Sequence, residues 1–373
     1  MTSRDETMMR LALRLARRGY GATSPNPMVG AVLVRNGKII GRGWHRSAGR
    51  PHAEIEALRD AARRGNQPSG ATLYVTLEPC CTHGRTPPCT DAIIAAGIKK
   101  VVTAATDPNP AHCGKAFRLL RRKGIEVVTD ILAAEATQLN EAFNHWIVHH
   151  TPFVIVKSAM TLDGKIATAS GESKWITGPR ARQYGMKLRT GADAILVGIN
   201  TILADDPQLT VREFRNPKSE IRKGTCRRIV LDSRARTPLT ARVVSDEDAE
   251  LTTVVVTKSA PQRRVVALSK RVNVFVAPER DGRIDLKWLM AALGKEEVTA
   301  LLVEGGGEVN ASFLLGGLAH RVAFFYAPKI LGGRDARKAV AADGVKRVAD
   351  MIRLTNVEWQ RLGPDLLLNA RVA

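Results

Sequence analysis

The stretch "MVGAVLVRNGKIIGRGW", residues 28–44, alternates in side-chain character on both sides of Asn36-Gly37. Asn-Gly supplies the two positive-φ residues that a tight two-residue turn requires, so the segment is expected as a β-hairpin. Working outward, "HAEIEALRDAARRG" (52–65) has helical periodicity closed by Gly65, and "ATLYVTLEPC" (71–80) reads as a strand. Then come a helix at "CTDAIIAAG" (89–97) stopped by Gly97, a strand at "KKVVTAAT" (99–106), a helix at "GKAFRLLRRKG" (114–124) and a strand at "IEVVTDI" (125–131). A single helix is expected over "AAEATQLNEAFNHWIVHH" (133–150). Strand and helix alternate throughout, which is the pattern of an α/β domain.

Thr151-Pro152 interrupts that series and a second begins. Its strands are expected at "PFVIVKSAM" (152–160), "DAILVGI" (193–199), "RRIVLDS" (227–233), "TTVVVT" (252–257), "VNVFVA" (272–277), "TALLVEGGG" (299–307) and "VAFFYAPKI" (322–330). Polar composition predicts surface loops at 216–228 and 245–250. A chain of 373 residues is long for one core, and the boundaries fall at 1–148 and 152–373.

With 44% hydrophobic and 25% charged residues the composition is that of a soluble globular protein, and no apolar run approaches the ~18 residues of a membrane span. The N-terminus enters an amphipathic helical pattern at once and lacks an apolar signal region. Of five cysteines three are clustered, which fits metal binding in a reducing cytoplasm better than a disulfide framework. The net charge of +21 is spread along the chain without a block of five like charges, and 5% aromatic residues are few for stacking bases. Charge therefore points to solvated faces and an anionic small substrate rather than to nucleic acid.

The cysteine cluster lies in "EPCCTHGRTPPC" (78–89). A closed structural zinc needs four protein ligands, here Cys80, Cys81, His83 and Cys89, but adjacent Cys80 and Cys81 diverge and no second CxxC pair exists. The alternative takes one ligand from "PHAE": His52, Cys80 and Cys89 make three, leaving the fourth tetrahedral position for water. His52 and Cys89 are both expected near helix N-termini, where the positive dipole end favours thiolate. Glu54, two residues from His52, is badly placed as a fourth ligand and suits a proton shuttle, although a favourable first-turn charge would read the same way. The order HxE…PC…C resembles the zinc-dependent base deaminases. Cys81 and His83 are left for supporting or packing roles, and His45 fits a structural histidine as well as a substrate contact.

Eight residues separate Cys80 from Cys89, where nucleoside and nucleic-acid deaminases carry PCxxC. "TSPNPMVGAVLV", "HAEIEAL", "EPCCTHGRTPPC" and "DPNP" together resemble the deaminase half of the bifunctional deaminase–reductase family of riboflavin biosynthesis, the RibD family. "VKSAMTLDGKIA", "GESKWITG", "VGINTILADDPQLTVR", "VLDSRAR" and "LLVEGGGEVN" resemble its reductase half, so the likeness covers nearly the whole chain. The resemblance implies a cytidine-deaminase-like three-layer N-terminal domain and a C-terminal domain like dihydrofolate reductase. It implies zinc-dependent deamination of 2,5-diamino-6-(ribosylamino)pyrimidin-4-one 5'-phosphate, then NADPH reduction of its ribosyl to a ribityl side chain, with one zinc per chain.

By matching motifs, the resemblance assigns substrate to Asn26, His45 and Arg85 in the first domain and to Lys157, Ser173, Arg189, Leu209, Arg212 and Glu304 in the second. It assigns NADPH to Ala159, Trp175, Thr201, Asp205 and Ser233 and to the turn Gly306, Gly307, Glu308, Val309, Asn310, Ala311 and Ser312. Chemically, Asn26 suits a base amide edge, Arg85 a phosphate fork, and Arg189 with Arg212 a phosphate clamp. Trp175 suits either a cover on the nicotinamide or a core position. The glycines at 305–307 between a strand and a helix suit phosphate, although such a turn alone is common. A cytoplasmic homo-oligomer, dimer or tetramer, with no nucleic-acid or membrane partner is expected. The rival reading is a tRNA-type base deaminase with a C-terminal RNA-binding domain; a non-catalytic zinc module lacks its fourth ligand.

Overall fold

The structure, a computed structural model, describes residues 3–83, 87–211 and 226–373. The chain divides into two compact units, Met1–His150 and Thr151–Ala373.

In the first unit the elements run α1 (Arg4–Ala16), β1 (Gly30–Arg35), β2 (Lys38–Trp44), α2 (Ala53–Arg63), β3 (Thr72–Leu77), α3 (Cys89–Ala95), β4 (Lys100–Ala105), α4 (Lys115–Arg122), β5 (Glu126–Val128), α5 (Ala133–Leu139) and α6 (Glu141–His149). Asn36 and Gly37 both have positive φ, and the hairpin closes with Arg35 opposite Lys38. The sheet order is β2-β1-β3-β4-β5, antiparallel as far as β3 and parallel beyond. Alternate residues of the strands feed opposite cores. Leu33, Leu73, Val75 and Val101 pack under α2, α3 and α4, whereas Val32, Tyr74 and Val102 pack under α1 and α5. Three layers result.

Two expectations change. The helix expected over 133–150 breaks at Asn140, whose side chain accepts from Met28 N (2.8 Å) and donates to Met28 O (2.9 Å). This bond to the start of β1 replaces a helical turn. The strand expected over 125–131 shortens to three residues.

The second unit runs β6 (Phe153–Thr161), β7 (Lys165–Ala167), α7 (Pro179–Thr190), β8 (Ala194–Gly198), α8 (Ile199–Asp205), β9 (Arg227–Leu231), α9 (Arg242–Ser245), β10 (Thr252–Thr257), α10 (Gln262–Ser269) and β11 (Asn273–Ala277). It continues with β12 (Glu279–Arg280), β13 (Arg283–Ile284), α11 (Leu286–Lys295), β14 (Ala300–Val303), α12 (Gly307–Leu315), β15 (Arg321–Ala327), β16 (Arg337–Lys338), β17 (Leu354–Leu362) and β18 (Asp365–Val372). Among the described residues one sheet has the order β11-β10-β9-β8-β14-β6-β15-β18-β17. It is parallel from β11 to β15 and ends in the antiparallel β18 and β17. Helices cover both faces, as a parallel sheet demands. α11 and α12 pack on Val156, Leu196 and Val303; α8, α9 and α10 pack on Ile195, Val197, Val230 and Val254; and α7 packs on Ala323 and Phe325. The chain leaves β8 toward β11 on one side while β14 and β6 lie on the other, so the crevice for a ligand opens beyond the carboxyl ends of β8 and β14.

Of the surface loop expected over 216–228, residues 216–225 lie outside the described residues, and Arg227 and Arg228 belong to β9. Arg228 is buried with both guanidinium Nη atoms on Asp246 (2.7 and 2.8 Å), a pairing no local pattern reveals. The stretch 245–250 carries the end of α9 and a 3-10 turn.

Candidate active sites

In the first unit three segments bring donor atoms together. His52 is the N-cap of α2, Cys80 follows β3, and Cys89 opens α3. His52 Nδ1 lies 3.5 Å from Cys80 Sγ and 3.3 Å from Cys89 Sγ, and all three donor atoms fall within 4.8 Å of one another. A tetrahedral zinc with Zn–S of ~2.3 Å and Zn–N of ~2.0 Å would separate sulfur from nitrogen by about 3.5 Å, so the set fits that ion without rearrangement. The chemistry agrees. Hydrogen bonds from Cys89 and His52 lower the Cys80 thiol to about 4, while the bond to Cys80, together with burial, pushes Cys89 up and the Cys80 bond raises His52. Two sulfurs this close share a proton unless a cation neutralises both.

Glu54, in the first turn of α2, is 3% exposed, and its Oε2 has no hydrogen-bond partner. Burial raises its carboxyl to about 6. An unsatisfied buried oxygen is costly, and its place beside the donor cluster marks it for a ligand rather than for capping. His45 is 2% exposed, 3.2 Å through Nδ1 from Pro51 O and 3.2 Å through Nε2 from Asn26 Nδ2. A carbonyl only accepts, so Nδ1 carries the proton and Nε2 accepts from the Asn26 amide, which leaves Asn26 Oδ1 for another partner. Burial lowers the His45 pKa, consistent with this neutral ring. Arg85 lies outside the described residues.

Glu78 supports the metal strand. Its carboxylate accepts from Asp107 N (3.2 Å), Gly114 N (2.8 Å) and Ala116 N (3.0 Å), tying the end of β3 to the "DPNP" loop and the start of α4. Sequence reasoning missed this role, as it missed Trp44, whose ring carries the guanidiniums of Arg18 (4.9 Å) and Arg46 (4.4 Å) over it. Period-two spacing of Trp44 and Arg46 is the one local hint.

In the second unit Glu304 follows β14 and is clamped. Arg189 donates through Nε to Oε1 and through Nη2 to Oε2, both at 2.8 Å, and through Nη1 to Thr210 O at 3.0 Å. Lys157 Nζ stands 3.7 Å from Glu304 Oε2. Burial alone would raise the Glu304 carboxyl, but Lys157 and Arg189 hold it at about 2. Arg189, expected to help clamp a phosphate, has its guanidinium turned onto Glu304. Arg212, its expected companion, lies outside the described residues.

Ser173 Oγ donates to Asp205 Oδ1 at 3.2 Å. Trp175 is not a core residue: it is 65% exposed with the Arg182 guanidinium 4.6 Å from its ring centre. Leu209 is 3% exposed in the apolar cluster with Ile195 and Val230, so only its backbone is left for a ligand. Gly306 is the N-cap of α12 and no side chain caps that end. A Cβ on Gly198 would meet Val309 Cγ2 at 2.8 Å, and one on Gly305 would meet Val309 Cβ at 2.5 Å, so α12 sits directly on the ends of β8 and β14. Its first amides, which lack intrahelical acceptors, form a cradle that suits a dinucleotide phosphate. Of the residues expected there, Asn310 and Ala311 are fully buried, Asn310 Nδ2 donates to Ala339 O, and the Ser312 hydroxyl donates to Glu308 O. Ala159 on β6, Thr201 in α8 and Ser233 after β9 are half-buried at the same carboxyl end of the sheet.

Residues 2–105 match the cytidine and deoxycytidylate deaminase zinc-binding region, and residues 152–368 match the RibD C-terminal domain. The chain is 42% identical over 369 residues to the riboflavin biosynthesis protein RibD of Actinobacillus pleuropneumoniae, covering 99% of this chain and 95% of that one. It is 43% identical to that of Aquifex aeolicus, covering 98% and 97%. Among solved structures, Acinetobacter baumannii RibD superposes with a TM-score of 0.88 at 38% identity over 99% of both chains. The Thermotoga maritima diaminohydroxyphosphoribosylaminopyrimidine deaminase/5-amino-6-(5-phosphoribosylamino)uracil reductase superposes with 0.82 at 35% identity, again over 99% of both. Among the described residues no helix is long and apolar enough to cross a membrane.

Proposed function

This chain belongs to the RibD family of riboflavin biosynthesis proteins, and from that premise we propose how its two sites divide the work of a bifunctional deaminase and reductase. His52, Cys80 and Cys89 hold one zinc ion, and Glu54 is the catalytic acid–base. When bound, zinc lowers the pKa of water toward 7 and so provides the nucleophile at neutral pH. Asn26 and neutral His45 orient the pyrimidine of the diaminopyrimidinone ribotide, and Arg85 takes its phosphate. Glu54 accepts a proton from the attacking water as the C–O bond forms and delivers it to the exocyclic amine as the C–N bond breaks and ammonia leaves, while the remaining hydroxyl proton passes to the adjacent ring nitrogen as the carbonyl forms. A carboxyl already lifted by burial suits both halves of that transfer.

In the second unit NADPH supplies the hydride that converts the ring-opened ribosylamino group to ribitylamino. The backbone of the Gly306–Val309 turn holds its phosphates, with Ala159, Trp175, Thr201, Asp205 and Ser233 along its length. Lys157, Ser173 and Arg212 bind substrate, together with the backbone of Leu209. Glu304, locked by Arg189, fixes the position of the Lys157 ammonium. The rival reading, a base deaminase with a C-terminal RNA-binding domain, has no support, because residues 152–368 match the RibD C-terminal domain.

The observation that carries the reading is the three-donor cluster beside an unpartnered buried Glu54 oxygen. Its test follows ammonia release and NADPH oxidation separately. In the zinc-loaded chain Glu54→Gln should lower ammonia release about 10²–10⁴-fold, retain one zinc, and oxidise NADPH normally when given the deaminated ribotide. Wild-type ammonia release after complete zinc removal, or full turnover by the variant, would overturn the assignment.

A further inference from the structure

We propose that His145 and His149 of α6 form a second metal site, which takes a late divalent transition ion such as nickel(II), copper(II) or zinc(II) and clamps the last turn of that helix where the first unit ends. The site is separate from both active sites and does not depend on how they are read.

Spacing brings the pair together. Residues four apart in an α-helix lie one above the other on the same face, which is how two histidines at i and i+4 hold zinc on the helix of a metalloprotease. α6 runs Glu141–His149, so His145 and His149 share one stripe, and Glu141, four residues earlier, adds a carboxylate to it. The two imidazoles already meet, with ring centroids 4.6 Å apart and planes inclined by 36°. Two nitrogens on one ion stand about 3 Å apart when each metal–nitrogen bond is ~2.0–2.1 Å, a separation within reach of rotation about the side-chain bonds. His145 is half-buried and His149 is exposed, so an ion enters from solvent.

Donor chemistry selects the ion. Imidazoles suit nickel, copper and zinc, whereas calcium and magnesium take oxygen donors. Among the described residues only His52, Cys80 and Cys89 bring three such donors together, so an ion on α6 has two protein ligands and completes its shell with water. A structural zinc has four protein ligands. The α6 ion is therefore exchangeable, a clamp set by the metal in the medium.

The helix is one that a clamp would change. No residue of α6 is buried: Phe143, Trp146 and Ile147 are half-buried and Val148 is exposed. Its N-cap, Asn140, makes no side-chain bond to the helix, because that amide is spent on Met28. Nine residues are fewer than the ~12–15 that a helix needs to persist by itself. At the far end His150 takes φ +55° and its N–H donates to Trp146 O at 2.8 Å, which ends the helix one residue before the second unit. The carbonyls of that last turn form the negative end of the helix dipole and favour a cation. An ion bridging His145 and His149 spans the same turn.

The test is a calorimetric titration of nickel(II) into the full chain with zinc already in the His52, Cys80 and Cys89 centre; nickel avoids the oxidation of thiols by copper. The wild type should take up one nickel ion. His145→Gln and His149→Gln should each weaken that uptake about tenfold or more, as attachment at two points becomes attachment at one, while His150→Gln, off the stripe, should change it less than about threefold. Nickel should slow hydrogen exchange of the α6 amides in the wild type and in neither stripe variant. Glutamine is a good helix former and both positions lie outside the core, so the variants keep the fold, their zinc and their ammonia release. The proposal is overturned by absence of nickel uptake in the zinc-loaded wild type, by uptake indifferent to both stripe substitutions, by an equal loss in His150→Gln, or by release of zinc in proportion to the nickel bound.

Discussion

Glu304→Gln should destabilise the second unit more than Arg189→Met, and the reason is an asymmetry in the cluster. Glu304 is one anion between two cations, Arg189 at 2.8 Å and Lys157 at 3.7 Å. Removing the anion strands a guanidinium that cannot shed its proton, whereas removing Arg189 leaves Glu304 with Lys157. Breaking a buried pair by neutralising one partner costs about 3–5 kcal/mol. The carboxyl itself gives a second route to the magnitude. Its folded value of about 2 lies below the ordinary 4.5, a difference worth on the order of 3 kcal/mol. Because the folded value is depressed, that stability is fully present above pH 4.5 and is lost as pH falls through about 2. Thermal unfolding of the full chain, with hydrogen exchange at α7 and β14 to locate the transition, should show the Glu304→Gln midpoint lower by roughly 6–20 °C at pH 7. The gap to wild type should stay flat down to pH 5 and narrow below 4.5. An equal or larger cost for Arg189→Met, or a gap that stays constant as pH drops below 4, would refute the reasoning.

Two further outcomes follow from the first unit. A Cβ on Gly43 would meet Ala53 O at 2.3 Å and Ala57 N at 2.4 Å, so Gly43→Ala should lift the start of α2, and zinc titration should show affinity reduced at least tenfold although Gly43 touches no donor atom. Glu78→Gln turns one of two acceptor oxygens, Oε2 serving Asp107 N and Gly114 N and Oε1 serving Ala116 N, into a donor; chemical denaturation should register a cost of about 1–3 kcal/mol, and ammonia release should fall with zinc affinity rather than at saturating zinc.

Local pattern carried far where the chemistry is local. Asn36-Gly37 fixed the hairpin because only positive φ at both residues closes it, and the ends of α2 and α3 were legible from Gly65 and Gly97. The meeting of His52, Cys80 and Cys89 was also legible, because a strand end and two helix starts in an α/β layer converge on one edge. What stayed hidden depends on partners distant in sequence. The break at Asn140 comes from Met28, and the commitment of Arg189 comes from Glu304. No periodicity encodes either, and a guanidinium looks the same whether it awaits a phosphate or is already spent on a carboxylate. For Trp175 the sequence left a ligand cover and a core position open, and its exposure removes the core position.

The glycines explain how both units place reactive atoms without a dense polar scaffold. Gly41 and Gly43 lie inside β2, where a Cβ would strike the backbone of α2 at 2.3 Å in each case. The helix answers with Ala53, Ala57 and Ala61, all fully buried and four residues apart on one face. Two smooth surfaces allow an approach closer than side chains permit, and the helix start then carries His52 to within 3.5 Å of a sulfur beyond the end of another strand. In the second unit Gly198 and Gly305 do the same for Val309, seating the first turn of α12 on two strand ends. Precision in each site therefore leans on close packing at glycines, against helix backbone at Gly41 and Gly43 and against the Val309 side chain at Gly198 and Gly305. It follows that a methyl group added at Gly43 or Gly305 should disturb metal or cofactor affinity more than loss of many polar side chains nearer the chemistry.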